Sequence, residues 1–135
     1  WLFCPMLDDR TAARRELDAI NHPIWNNRLN AAGWRALLGA EPGTVAPPYA
    51  AAARREDLRG LPPAWIGVGD IELFYAENRV YAERLAAAGV AVTLDVVPGA
   101  PHGFEAWAAD TAIAQDYLAR ARAWLRAALD SAPAR

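Results

Sequence analysis

Ala64-Trp65-Ile66-Gly67-Val68-Gly69-Asp70-Ile71-Glu72-Leu73-Phe74 begins as an unbroken apolar run and then presents two carboxylates. A strand with one face in water would alternate polar and apolar residues. The absence of alternation over residues 64–68 predicts a strand buried on both faces, as in a parallel sheet covered by helices. A second such segment, residues 90–97, combines Val92, Leu94, Val96 and Val97 with Thr93 and Asp95, and its β-branched residues favour a strand. Between the two, residues 77–88 set Tyr81, Leu85 and Ala88 on one helical face, and Gly89 stands where a helix end needs a left-handed residue. Strand, helix and strand in that order predict an α/β fold with parallel strands and flanking helices.

Working outward, Trp1-Leu2-Phe3-Cys4, closed by Pro5, reads as a third buried strand. A last helix is expected from about residue 106 or 110 to 129, with Ile113, Tyr117, Ala121, Trp124, Leu125, Ala128 and Leu129 at helical spacing. Residues 7–63 form a long excursion holding Trp25, Trp34 and Tyr49, six prolines and a predicted short helix at 31–38. Connections of that length inside a compact domain carry function or small elements of their own. No repeat or low-complexity linker divides the chain, so residues 1–135 read as part of a single domain. The tail after Leu129 is expected to fray.

Composition narrows the function. The chain has 135 residues, 54% hydrophobic and 22% charged, with a formal charge of −2. That balance builds a core, and it lacks the clustered basic residues that nucleic acid or an anionic membrane calls for. A small neutral substrate fits better. Cys4 is the only cysteine, which excludes an internal disulfide and a multi-thiolate metal site, and two histidines make zinc chemistry a poor expectation. Cys4 lies in an apolar run without a basic neighbour in sequence and reads as packing. No apolar run approaches the roughly 18 to 20 residues that span a bilayer, and a cytoplasmic setting is the default expectation.

In open α/β sheets, sites form beyond the carboxyl ends of the strands. Two segments qualify: the acid segment already quoted, and Pro98-Gly99-Ala100-Pro101-His102-Gly103-Phe104 after the last strand. Neighbouring strand ends would set a carboxylate, Asp70 or Glu72, beside His102. A carboxylate on one ring nitrogen fixes the tautomer that lets the other take a proton from a hydroxyl, which predicts general-base chemistry. The one serine, Ser131, sits in the predicted tail without a Gly-x-Ser-x-Gly setting and is a poor nucleophile candidate. His22, in Asn21-His22-Pro23, reads as an exposed turn residue. Of the tryptophans, Trp25 and Trp107 are the candidates for the border of a substrate pocket.

These segments resemble the bacterial hormone-sensitive-lipase-like carboxylesterases of the α/β-hydrolase fold. Cys4-Pro5-Met6-Leu7-Asp8-Asp9-Arg10-Thr11 is similar to the segment after the family's strand that follows the nucleophile helix. Gly33-Trp34-Arg35-Ala36-Leu37-Leu38-Gly39 resembles its aromatic helix, and Leu58-Arg59-Gly60-Leu61-Pro62-Pro63-Ala64 its lead into the acid-bearing strand. The histidine loop at 98–104 is the most specific match. The resemblance implies His102 as the catalytic base and places the triad acid on Glu72, where the family usually has aspartate, with Leu73 and Phe74 following and Glu77 closing the turn. Asp70 stays open as the alternative acid.

The resemblance further implies an ester hydrolase with no metal or organic cofactor, acting on short to medium acyl esters. Serine precedes acid and histidine in this fold. The nucleophile, the oxyanion hole and most of the family's cap are therefore expected upstream of Trp1, residues 1–135 being the C-terminal part of one α/β-hydrolase domain. The apolar edge at Trp1 to Cys4 would then need a cover, either that upstream segment or another copy of the chain. An upstream residue would also separate the rival readings, a non-catalytic module of the same fold or a hydrolase with an Asp or Cys nucleophile.

Overall fold

The computed structural model describes residues 1–131. Three parallel strands, β1 (Leu2–Phe3), β2 (Ala64–Gly69) and β3 (Val92–Val97), form one sheet in the order β1-β2-β3. Leu2 aligns with Ile66, and Ala64 through Gly69 align with Val92 through Val97. Five helices accompany them: α1 (Asp9–Ala13), α2 (Asn27–Leu38), α3 (Tyr75–Ala87), α4 (Phe104–Trp107) and α5 (Ala112–Asp130).

Successive strand residues point to opposite faces, and both faces are covered. Leu2, Ile66 and Leu94 pack with Tyr81, Ala82 and Leu85 of α3, while Phe3, Trp65 and Val97 pack with Ala114, Tyr117 and Ala121 of α5. This two-sided burial is why the strands read as apolar runs. Gly67 faces α5, and a Cβ there would lie 2.1 Å from the Tyr117 hydroxyl and 2.2 Å from Trp65, so the strand gives up a side chain to let the two aromatics meet. The excursion has a separate small core of Ala12, Ala31, Trp34 and Ala51.

Several boundaries differ from the sequence reading, each for a local reason. The first strand keeps only two ladder residues, since Cys4 turns to φ 40. Val90 belongs to a helix ending, not to β3: Gly89, at φ 79, donates to Ala86 and Val90 donates to Leu85, both at 3.0 Å, the paired bonds of a Schellman cap. Helix α2 begins four residues before the expected 31 because Asn26 caps it, accepting from the Arg28 and Leu29 amides at 3.1 Å. The final helix is split in two, with Thr111 capping α5. Asp130 is still helical, Ser131 donates its hydroxyl to the Ala128 carbonyl, and residues 132–135 of the expected fraying tail lie outside the described residues.

Two side chains of α3 staple the exit of β1. The Leu7 and Asp8 amides donate to Glu77 Oε1 at 2.7 and 3.1 Å, and Asn78 Nδ2 donates to the Pro5 carbonyl at 2.8 Å. Burial pushes the Glu77 carboxyl up to about 7, against the opposing pull of the Thr11 hydroxyl and those two amides. The folded chain thus holds this proton more tightly than the unfolded chain, whose ordinary value is 4.5. Stability is therefore expected to fall as pH rises from about 4.5 through about 7 and then level off, by on the order of 3 kcal/mol in all. Urea denaturation of the wild-type chain and Glu77→Gln at pH 5 and pH 8 reads the difference; an equal pH response in both proteins would exclude this origin.

Candidate active site

The carboxyl ends of β2 and β3 bring their following loops together. Gly69 makes the approach possible, since a Cβ there would lie 1.8 Å from the Ala100 carbonyl oxygen, inside any permissible contact. Asp70 Oδ1 then accepts from the Gly99 amide at 2.7 Å. Gly99 and Gly103, at φ 70 and 66, turn the loop on either side of His102. Phe104, buried against the Tyr117 ring, anchors its far end.

Within this frame His102 Nδ1 lies 2.9 Å from Glu72 Oε2, although the residues are 30 positions apart. The Glu72 side chain is 0% exposed and that of His102 21% exposed, so the acid is enclosed and the imidazole reaches the surface. The structure joins His102 to Glu72, while Asp70 braces the histidine loop through Gly99. Glu72 Oε1 is buried without a hydrogen-bond partner. With Nδ1 committed to the carboxylate, Nε2 is the ring nitrogen free to exchange a proton with a second group.

Aromatic rings surround the imidazole. Trp25 lies 5.9 Å away at 30° between planes, and Phe74 lies 5.5 Å away edge-on at 73°. Trp107 is exposed, and its indole N–H donates to the His102 carbonyl at 3.1 Å. The two tryptophans proposed from sequence as pocket borders thus both meet the histidine. A cleft of about 980 Å³ opens beside Glu72, bordered by His22, Leu73, Tyr75, Ala76 and Tyr81, and His102 is not in its wall. His22 is partly buried there, with its Nδ1 unpartnered.

Cys4 is buried, in keeping with its reading as packing, and it packs beside the acid–histidine pair. One ligand atom each of Cys4, Glu72 and His102 lie within 4.8 Å of one another. Burial pushes the Cys4 thiol up to about 12; the Gly103 amide opposes that shift, while Glu72 and Glu105 add to it. A zinc ion there would have to strip a reluctant thiol of its proton and break the Glu72–His102 bond. The arrangement therefore suits a neutral thiol beside an acid–imidazole pair better than a metal centre. Nothing in the local sequence could have shown this, because the neighbours of Cys4 come from two other strand ends.

Comparison with known proteins agrees with this fold. The family described as alpha/beta hydrolase fold matches residues 1–106. Carboxylesterase NlhH of Mycobacterium tuberculosis is 39% identical over 88 residues, covering 65% of this chain and 26% of that protein. Esterase LipW from Mycobacterium marinum superposes with a TM-score of 0.82 at 35% identity, covering 95% of this chain and 40% of that one. An esterase from the bacterial hormone-sensitive lipase family gives 0.76 at 26% identity, covering 93% and 42%. The chain spans about a quarter of the length of the curated relatives it matches. Among the described residues no helix is long and apolar enough to cross a membrane. With its parallel sheet, its flanking helices and the family match over residues 1–106, the chain belongs to the α/β-hydrolase fold family.

Proposed function

We propose that this chain contributes the acid and base of a Ser-His-acid site that hydrolyses carboxylic esters. The observation that carries the reading is the 2.9 Å bond from His102 Nδ1 to a fully enclosed Glu72. In this reading, Nε2 accepts the proton of a serine hydroxyl as its oxygen attacks the ester carbonyl, and Glu72 stabilises the imidazolium so formed. The same nitrogen then protonates the departing alkoxide, leaving an acyl-enzyme. Water repeats the sequence, with His102 taking its proton and returning one to the serine as the acid leaves.

The serine and the oxyanion donors come from outside the 135 residues, since the one serine present spends its hydroxyl on the Ala128 carbonyl at the end of α5. The strand that carries them is proposed to pair with the free side of β1, which among the described residues is bonded only to β2. A second copy of the chain is the competing cover for that edge. A short-chain p-nitrophenyl ester assay tests the reading, using these residues alone and joined to the segment that precedes them in the gene product. The expected result is turnover only in the joined protein. Equal turnover by the 135 residues alone, or none in the joined protein, would overturn it.

A further inference from the structure

We propose that Trp25 is a positioning residue for His102, an aromatic wall that keeps the imidazole aligned on Glu72. The proposal deepens the reading of His102 as the base and rests on it for its kinetic consequence, but not for its structural one. Trp25 arrives from the excursion, far from either strand end in sequence, and its ring lies 5.9 Å from the imidazole at 30° between planes. That is within the range of offset aromatic stacking and at the reach of a cation–π contact. Phe74 presents its edge from another direction at 73°. Glu72 fixes one nitrogen of the ring, and the two aromatics limit the tilt that a single hydrogen bond leaves free.

The backbone before Trp25 identifies this placement as specified. Ile24 has φ 67, a left-handed conformation that a β-branched residue rarely adopts. The Trp25 amide donates to the Pro23 carbonyl at 2.7 Å, closing a three-residue γ-turn around it. Ile24 itself is 59% exposed, so the strain does not serve to bury it. What the turn delivers is the next side chain. Immediately afterwards Asn26 caps α2, and Trp25 Cζ2 packs over Gly33 of that helix, where a Cβ would stand at 3.7 Å. The Trp25 indole N–H is buried without an acceptor, so the ring is held there for its face and not for a hydrogen bond.

The test uses the 135-residue chain and the low-field NMR signal of the His102 Nδ1 proton, with His22 as the internal control. Trp25→Met keeps apolar bulk without a π face, and Trp25→Phe restores one. The expected result is rapid solvent exchange and loss of the signal in the methionine variant, with recovery in the phenylalanine variant. An unchanged signal in a folded Trp25→Met protein would overturn the proposal. Should that variant fail to fold, Ile24→Gly decides: it frees the turn at an exposed position and is expected to weaken the same signal, and an undiminished signal would count equally against it. In a protein supplied with its nucleophile, Trp25→Met is expected to lower kcat/KM by roughly 3- to 30-fold. A wild-type protein without turnover would sink the esterase reading, and the exchange measurement would still decide the role of Trp25.

Discussion

His102→Ala, made in a protein that also carries the nucleophile, is expected to lower kcat for ester hydrolysis by roughly 10⁴- to 10⁶-fold while leaving the fold intact. His102 makes its one side-chain hydrogen bond to Glu72 and packs against Trp25 and Phe74, so circular dichroism of the variant should accompany the kinetics. Glu72→Gln should lose about 10⁴-fold for a different reason. A carboxamide can donate to Nδ1, which would move the imidazole proton to Nε2 and occupy the nitrogen that must accept. Asp70→Asn is expected to lose less than about tenfold, because Asp70 holds the loop through one amide hydrogen bond. Steady-state kinetics on the three variants separates the roles. If Asp70→Asn were as damaging as Glu72→Gln, the acid would have to be reassigned.

The largest effect on stability is expected at Arg54. Its guanidinium forms two 2.7 Å bonds to Asp9, which is fully buried and also accepts from the Gly43 amide at 2.7 Å. Burial alone would push the Asp9 carboxyl up, but the Arg54 fork and the Gly43 amide outweigh it and hold the group below its ordinary value. Arg54→Ala would leave a buried carboxylate without its cation, a change that typically costs about 3–5 kcal/mol. The three points tied by Asp9, at the start of α1, at Gly43 and at Arg54, would then come loose together. Chemical denaturation measures the loss. Arg54→Lys should recover part of it, keeping the charge without the two-pronged geometry, and a cost below about 1 kcal/mol for Arg54→Ala would show the pair to be solvated.

The parts of the fold that were legible in sequence are those in which each residue answers to its immediate neighbours. β2 shows as an apolar run because both its faces are covered, β3 shows as a β-branched run of mostly half-buried residues, and the histidine loop shows because its glycines and prolines specify a turn. The start of α2 was hidden because Asn27 and Asn30, which look like solvent-facing residues, are fully buried. Asn27 spends its amide on the Ala12 and Arg14 carbonyls and on Asp18. Helix α1 and the buried Asp9 were invisible for a similar reason, since an aspartate is buried only when a distant arginine comes to meet it. The choice between Asp70 and Glu72 could not be made from strand-end position alone, because both follow the same strand. Their partners, Gly99 and His102, lie on the next one. The place of Cys4 beside that pair depends in the same way on strand order.

The contact between Gly69 and the Ala100 carbonyl has a consequence for how this protein can diverge. Acid and imidazole are encoded within one uninterrupted strand-helix-strand stretch and clamped at its open end, so they form a cassette whose internal spacing is independent of the rest of the chain. Away from Trp25 and the turn that delivers it, insertions and substitutions in residues 7–63 can change which surfaces confront the imidazole without disturbing its orientation toward Glu72. Selection acting on the rest of that excursion can thus retune what confronts the imidazole while the acid–imidazole pair is inherited unchanged.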